Sequence, residues 1–192
     1  MQDTGKKVNS LGQSLTVFEQ LFQLYSASIK LDPFDVEANF NLASLYYQNK
    51  DDFRALKHYK KCVKKDEAPE GQYSEIKSLF ATQFSKAYFN AAVILDRQGD
   101  IQGALKYYQN SYEKQRKMDI YDECYLKTAT NLAVCYEKLG YRQEAVEILE
   151  KLKNGQFSFK TEEKLNLKFT DESRLNNNLG VIYKRAGEFV KA

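Results

Sequence analysis

The feature that most constrains the fold of this chain is a short motif that occurs four times. Each copy begins with Asn, continues with an apolar and a small residue, and places further apolar residues at helical spacing. The copies read NLASLY at 41–46, NAAVIL at 90–95, NLAVCY at 131–136 and NLGVIY at 178–183. A motif that recurs in this way predicts a small unit that folds repeatedly, each copy burying its apolar face on the next.

A turn and a second helix are predicted after each motif. Three of the four turns contain a glycine, Gly99, Gly140 or Gly187, where a helix can end in a left-handed residue. In the first copy Asn49 or Lys50 must take that conformation. Beyond the turns a small residue precedes a large one, which lets two helices pack closely, and these residues are Ala55 and Tyr59, Ala104 and Tyr108, Ala145 and Leu149, and finally Ala192.

Composition agrees with an all-α chain and excludes several classes of function. Nine Gly and two Pro among 192 residues leave few helix breakers, while 43% of the residues are hydrophobic. A net charge of +3 makes nucleic acid an improbable partner, and no apolar run is long enough to span a membrane. His58 is the only histidine and is predicted to lie on the exposed side of its helix. The three cysteines lack metal-binding spacing, and no phosphate loop is present. We predict no catalytic residues, no cofactor and no metal site.

These residues resemble the tetratricopeptide repeat family, whose signature joins an apolar-small pair, an aromatic residue, a turn, an alanine and a second aromatic residue. In the first copy the signature is matched by Leu42, Ala43, Tyr46, Ala55 and Tyr59. The motif asparagines and the extended repeat length are similar to kinesin-light-chain-like arrays. The resemblance implies a right-handed superhelical solenoid of antiparallel helix pairs, about four repeats long. In such a solenoid the first helices line a concave groove.

The motif copies and the segments between them predict the domain layout. The second repeat is expected to have an extended first helix that begins near Tyr73. Because the chain stops in the first turn of a second helix, we expect an incomplete C-terminal repeat and a longer array beyond Ala192. The predicted segments are an N-terminal helix in a degenerate or capping half-repeat at 1–35, repeats at 36–69, 70–118 and 119–160, and an insert plus incomplete repeat at 161–192.

The first helices carry a second stripe of residues, beside the apolar one, that the resemblance places in the groove. Its central members are the motif asparagines, whose amide can donate to a peptide carbonyl and accept from a peptide N–H. Basic and apolar side chains flank them, so we predict an extended, acidic-apolar peptide segment of a partner protein as the ligand. The predicted groove residues are Asn41, Asn90, Asn131, Asn178, Lys86, Lys127, Arg174, Phe40, Phe89, Val93 and Val134.

Three alternatives remain open at this point. The asparagines can be ordinary solvated residues of the repeat. The array can be a rigid spacer in a larger ciliary or transport assembly, with repeat stacking as its only task. The lysine-rich segment Lys57–Lys65 can instead contact acidic tails or nucleic acid, with a steep dependence on salt. An odd number of cysteines without disulfide or metal-binding spacing fits a reducing compartment, so the cytoplasm is the expected location. There we expect the chain to be a member of a multiprotein complex, cytoskeletal or ciliary.

Overall fold

The computed structural model describes residues 16–119 and 123–153, together with 173, 176–178, 180, 181, 183 and 184. Within these residues the secondary structure is helical and contains no strand. The chain divides into two compact units, 1–83 and 84–192. The predicted all-α fold is confirmed.

Side-chain caps set the starts of three helices in the first unit. Thr16 forms a capping box with Glu19, in which each residue bonds to the backbone N–H of the other. Asp35 and Asp51 each accept a backbone N–H from the turn that follows, at 2.6 and 3.0 Å. The helices of this unit are α1 (Val17–Leu31), α2 (Val36–Gln48), α3 (Asp52–Cys62), which a 3₁₀ turn (Val63–Lys65) extends, and α4 (Ser74–Leu79).

In the first unit, α2 and α3 form an antiparallel pair, and α1 packs against α2. Ala43 and Ala55 are fully buried, and Tyr59 is buried beside them. Small residues allow the two helices to approach, while the large ring fills the remaining space. Phe22 of α1 meets Tyr46 of α2 edge-on, with ring centroids 5.9 Å apart. The small-then-large pattern in the sequence therefore marks the core of this helix pair.

The second unit repeats the arrangement with longer helices. Ser111 Oγ in the second helix of this unit donates to the Ser85 carbonyl in the first, at 2.8 Å. The rings of Tyr88 and Tyr107 join the same two helices, with centroids 5.6 Å apart. The third helix packs on the second and pairs with the fourth. The helices are α5 (Ala81–Arg97), nearly all of which belongs to this unit, α6 (Ile101–Lys117), α7 (Glu123–Lys138) and α8 (Arg142–Lys153).

Residues with positive φ follow three of the first helices. Gly99 and Gly140 have φ of 83° and 87°, as expected for glycines that end a helix. In the first copy Lys50 takes this conformation, with φ of 62°. The turn is closed by the Asp51 N–H, which donates to the Tyr46 carbonyl at 2.9 Å. A lysine therefore adopts the left-handed backbone that glycine supplies elsewhere, at a cost of about 1 kcal/mol.

The helical segment expected to begin near Tyr73 begins at Ser74, but it is divided in two. The first part, α4, ends at Leu79, and the φ of −104° and ψ of 19° at the next residue, Phe80, are not helical. The second part, α5, starts at Ala81. Apolar periodicity on both sides of Phe80 predicts helix, and no Gly or Pro in the sequence marks the interruption.

In the second unit a tyrosine of a first helix bonds to the second helix that precedes it. Gln109 Nε2 of α6 donates to the Tyr136 hydroxyl of α7 at 2.7 Å. In the next copy of the motif, the Tyr183 hydroxyl donates to Glu150 of α8, and Tyr183 is buried. Tyr183 and Tyr136 hold the same place in their motifs. The fourth copy therefore packs on the third through the same position.

Candidate protein-interaction site

The predicted groove residues fall in both units. The first unit contains Phe40 and Asn41, and the second contains all the others that the structure describes. Lys86 is exposed and the remaining described residues are half-buried, so they are neither fully in the core nor fully in water. Arg174 lies outside the described residues. The members in the second unit are Lys86, Phe89, Asn90 and Val93 on α5, Lys127, Asn131 and Val134 on α7, and Asn178 in the fourth copy.

Tyr108 of α6 brings together two of these residues from different helices. Asn131 Nδ2 on α7 donates to the Tyr108 hydroxyl at 3.1 Å. Phe89 on α5 packs its ring on the Tyr108 ring, with centroids 6.0 Å apart. Tyr108 itself is 1% exposed. A polar and an apolar member of the predicted site therefore converge on one buried side chain that the sequence assigned only to the core.

A similar contact occurs in the first unit. Phe40 packs its ring against the buried Tyr59, with centroids 6.1 Å apart. Ser44 Oγ, one helical turn beyond Phe40, lies 3.4 Å from the Tyr59 hydroxyl. Tyr59 and Tyr108 hold equivalent places, each four residues after the buried alanine of its helix. The predicted apolar anchors therefore rest partly on the tyrosine of their own helix pair.

Acidic partners neutralise part of the basic character that the sequence predicts for the site. Lys127 pairs with Glu123 one turn earlier on α7, at 2.7 Å between Nζ and Oε1. Lys138, near the end of α7, pairs with Asp96 of α5, also at 2.7 Å. This second pair links two first helices directly. Lys86 is exposed and makes no ion pair within the described residues. Of the described lysines predicted for the site, Lys86 is therefore the one whose charge is not paired among the described residues.

His58, which the sequence placed on an exposed side of its helix, is half-buried. Its ring stacks on Tyr46 with centroids 5.6 Å apart, and its Nδ1 lies 3.0 Å from Asn39 Oδ1. Asn39 is fully buried and donates to the Pro33 and Asp35 carbonyls. Burial, aided by two neighbouring lysines, lowers the pKa of His58 to about 4. The histidine is thus a neutral packing residue of the first unit.

Cys62 and Cys135 are buried packing residues. Burial raises the pKa of the Cys62 thiol to about 12 and that of the Cys135 thiol to about 11. Both thiols are protonated at neutral pH, and a thiol in this state is a poor nucleophile and a poor metal ligand. No cluster of His, Cys, Asp and Glu that could hold a metal ion occurs among the described residues. Along the same residues, no helix combines the length and the apolar character that a membrane span requires.

Two surface grooves were not predicted. One, of about 530 Å³, lies between α1 and the ends of α2 and α3 that meet at their turn, and Phe18, Phe22 and Tyr46 form its aromatic wall. Arg54 lies over the Tyr46 ring, 5.4 Å from its centroid. The other groove, of about 290 Å³, lies between α6, α7 and α8, and half of its lining residues are charged. Neither groove contains a motif asparagine, so they lie apart from the predicted site.

A buried polar cluster in the second unit was also not predicted from the sequence. Gln115 of α6 is 1% exposed, and its Nε2 lies 3.2 Å from Ser111 Oγ and 3.4 Å from Thr128 Oγ1. Both hydroxyls donate to backbone carbonyls, so they accept from the glutamine. The cluster links α6 to α7 from inside the core. Nothing in the local sequence distinguishes Gln115 from a solvated residue.

Three segments of the chain match models of the tetratricopeptide repeat, at 37–66, 85–117 and 128–155. They coincide with the helix pairs α2–α3, α5–α6 and α7–α8. The helix pairs and the motif repeated on their first helices together define an all-α repeat protein built from antiparallel helix pairs. The chain belongs to the tetratricopeptide repeat family, as its motifs predict.

Solved structures share this fold. A putative kinesin light chain from Podospora anserina, with nearly identical tetratricopeptide-like repeats, is 21% identical and aligns 91% of this chain with 79% of its own, with a TM-score of 0.62. A structure of MamA is 20% identical and aligns 91% of this chain with 76% of its own, with a TM-score of 0.60. At such identities the likeness concerns the fold. No curated protein is significantly similar to the chain.

Family membership makes the chain a protein-interaction scaffold in general terms. Stacked helix pairs give an extended surface on which a partner protein can lie, and each pair contributes the same structural positions to it. Tetratricopeptide repeats generally serve as non-enzymatic scaffolds.

Proposed function

We propose that the chain binds an extended segment of a partner protein through the α5–α7 face, which is formed by Lys86, Asn90, Val93, Asn131 and Val134. The observation that carries this proposal is the convergence of Asn131 and Phe89 on Tyr108. It supports a surface in which a polar group is held beside apolar side chains, and that combination is the usual composition of a peptide-binding face.

The asparagines favour recognition of the peptide backbone. Asn90 and Asn131 hold the same place on successive first helices, and each side chain is half-buried. An amide side chain can accept a backbone N–H and donate to a backbone carbonyl, which are the groups that an extended peptide presents along its length. Two amides at equivalent places can therefore hold an extended segment whatever side chains it carries.

Charge and apolar surface favour a partner segment that combines acidic and apolar residues. Lys86 is exposed on α5 and available to a carboxylate, whereas Lys127 and Lys138 already have acidic partners. Val93 and Val134 lie near the asparagines on their helices and offer apolar contact. We expect one acidic residue near Lys86, with apolar residues on either side of it, to bind better than a uniformly acidic segment.

The alternative basic surface at Lys57–Lys65 receives less support. Lys65 pairs with Asp32 at 2.6 Å, and Lys64 lies 3.9 Å from Glu67. These carboxylates reduce the charge that the segment offers to a polyanion. A spacer role, with stacking as its only task, agrees with the same helix pairs and is the outcome if no segment binds. For either role we propose a cytoplasmic setting, within a cytoskeletal or ciliary assembly.

The test is fluorescence anisotropy of the purified chain with a labelled peptide in which Leu and Asp alternate. We expect saturable binding that survives moderate salt and that is lost when the backbone nitrogens of the peptide are methylated. Asn90→Ala combined with Asn131→Ala should abolish it, while circular dichroism shows unchanged helicity. Asn110→Ala, at a half-buried site on α6, is the matched control. Binding that ignores the double variant, or no binding, contradicts the proposal.

A further inference from the structure

The hydrogen bond between Asn131 and Tyr108 leaves part of the asparagine amide available to a ligand. The Nδ2 atom has two hydrogens, and one of them is donated to the Tyr108 hydroxyl at 3.1 Å. The other hydrogen and the Oδ1 atom remain, and together they form the donor and acceptor pair that matches a peptide backbone. The bond to the tyrosine is therefore compatible with the proposed contact.

The tyrosine is held firmly enough to fix the asparagine. Its side chain is 1% exposed, and its ring packs on Phe89 of the neighbouring helix. The amide of an asparagine without such a bond rotates broadly about its last torsion. A bond to a fixed, buried hydroxyl removes most of this freedom before a ligand arrives, so less conformational entropy is lost on binding.

We propose that Tyr108 is a positioning residue of the α5–α7 face, orienting the Asn131 amide for a peptide backbone. The inference rests on the function proposed above and adds to it the group that preorganises the site. The equivalent place on α8 is occupied by Leu149, which has no hydroxyl. The device is therefore not a uniform property of the repeats.

The test uses the complete chain and the labelled peptide of alternating Leu and Asp. Tyr108→Phe removes the hydroxyl and keeps the ring that packs on Phe89. We expect it to weaken peptide binding about fivefold, the ratio that corresponds to one hydrogen bond of ordinary net strength. Tyr112→Phe, one turn further along α6, removes a hydroxyl away from Asn131 and should leave the affinity unchanged. In an Asn131→Ala background, Tyr108→Phe should have no further effect.

Each result separates the two proposals. If Asn131→Ala weakens binding but Tyr108→Phe binds as the unchanged chain does, the positioning role is wrong and the proposed function stands. If Tyr108→Phe weakens binding equally with and without Asn131, the tyrosine acts by another route and the inference is overturned. If the peptide does not bind the unchanged chain, both fail.

A second measurement covers the case in which Tyr108→Phe disturbs the fold. Nuclear magnetic resonance of the unchanged chain can follow the two Nδ2 hydrogens of Asn131 separately. We expect one of them to exchange with solvent more slowly than the other, because it is bonded to a buried hydroxyl. Equal exchange of the two hydrogens would overturn the inference without any substitution.

Discussion

Asp96 of α5 and Lys138 of α7 form an ion pair of 2.7 Å that ties the ends of two successive first helices together. The side chains retain 27% and 40% exposure, so solvent screens the pair and its contribution to stability is small, about 0–1 kcal/mol. Its main consequence is electrostatic. Asp96 neutralises the charge of Lys138, which would otherwise add to the positive charge of the α5–α7 face.

Releasing Lys138 should therefore change binding more than stability. We expect Asp96→Asn to raise the affinity for the Leu-Asp peptide a few-fold at low salt, measured by anisotropy, with little change in the midpoint of thermal unfolding. The gain should disappear at high salt, where the freed charge is screened. Glu67→Gln, which frees Lys64 in the first unit, is the control and should not raise the affinity.

The stacking of His58 on Tyr46 makes the stability of the first unit depend on pH. Burial lowers the pKa of His58 from 6.5 to about 4, so the folded chain does not take up a proton between these values while the unfolded chain does. Stability should be constant above pH 6.5 and fall as the pH drops toward 4. After allowance for partial exposure we expect a loss of about 1–2 kcal/mol.

Urea unfolding at a series of pH values measures this dependence. His58→Phe keeps a ring beside Tyr46 and removes the titrating group, so the slope between pH 6.5 and 5 should vanish. The lowered pKa values of Asp32 and Glu147 place their titration below this window. An identical slope in the variant would show that His58 is not the group responsible.

Adjacent lysines in the first unit offer a matched comparison. Lys65 Nζ lies 2.6 Å from Asp32 and its side chain is 17% exposed, whereas Lys64 lies 3.9 Å from Glu67 and is 63% exposed. We expect Lys65→Met to lower the free energy of unfolding by about 1 kcal/mol and Lys64→Met to leave it unchanged. Equal effects in urea unfolding would mean that the Asp32 contact adds nothing.

The small residue of each motif should not tolerate enlargement. Ala133 on α7 is fully buried, so the added atoms of Ala133→Leu have no space without movement of the packed helices. We expect a loss of about 1–3 kcal/mol in the free energy of unfolding. Ala27→Leu, on an exposed part of α1, makes the same chemical change and should have almost no effect. Tolerance at Ala133 would contradict the close helix crossing described above.

The sequence predicted the helix pairs well because spacing and turn chemistry are local. The small residues Ala43 and Ala55 are buried as expected, and Lys50 is one of the two residues predicted for the first left-handed turn. The break at Phe80 was not predictable, because the apolar pattern is uninterrupted there. Helical periodicity indicates which face of a segment is buried but does not show whether the helix is continuous.

The candidate site was predictable only as a set of positions. Helical periodicity places Asn131 and Phe89 on the correct helices, but their meeting at Tyr108 depends on how three helices pack. In the same way, the sequence does not show that Asp96 and Lys138 form an ion pair, since Asp96 precedes Lys138 by more than a whole helix pair. The exposed position predicted for His58 failed because a partner on another helix, Tyr46, covers one face of its ring.

The tyrosines that join successive repeats in the second unit also affect how the array can change by mutation. The Tyr136 hydroxyl accepts from a glutamine, whereas the Tyr183 hydroxyl donates to a glutamate in the equivalent place. A hydroxyl can take either role, so an exchange of glutamine for glutamate at the partner position leaves no polar atom unsatisfied. Single substitutions can therefore change the charge at the junction while its geometry is retained. Neighbouring repeats can in this way diverge in sequence without losing their register.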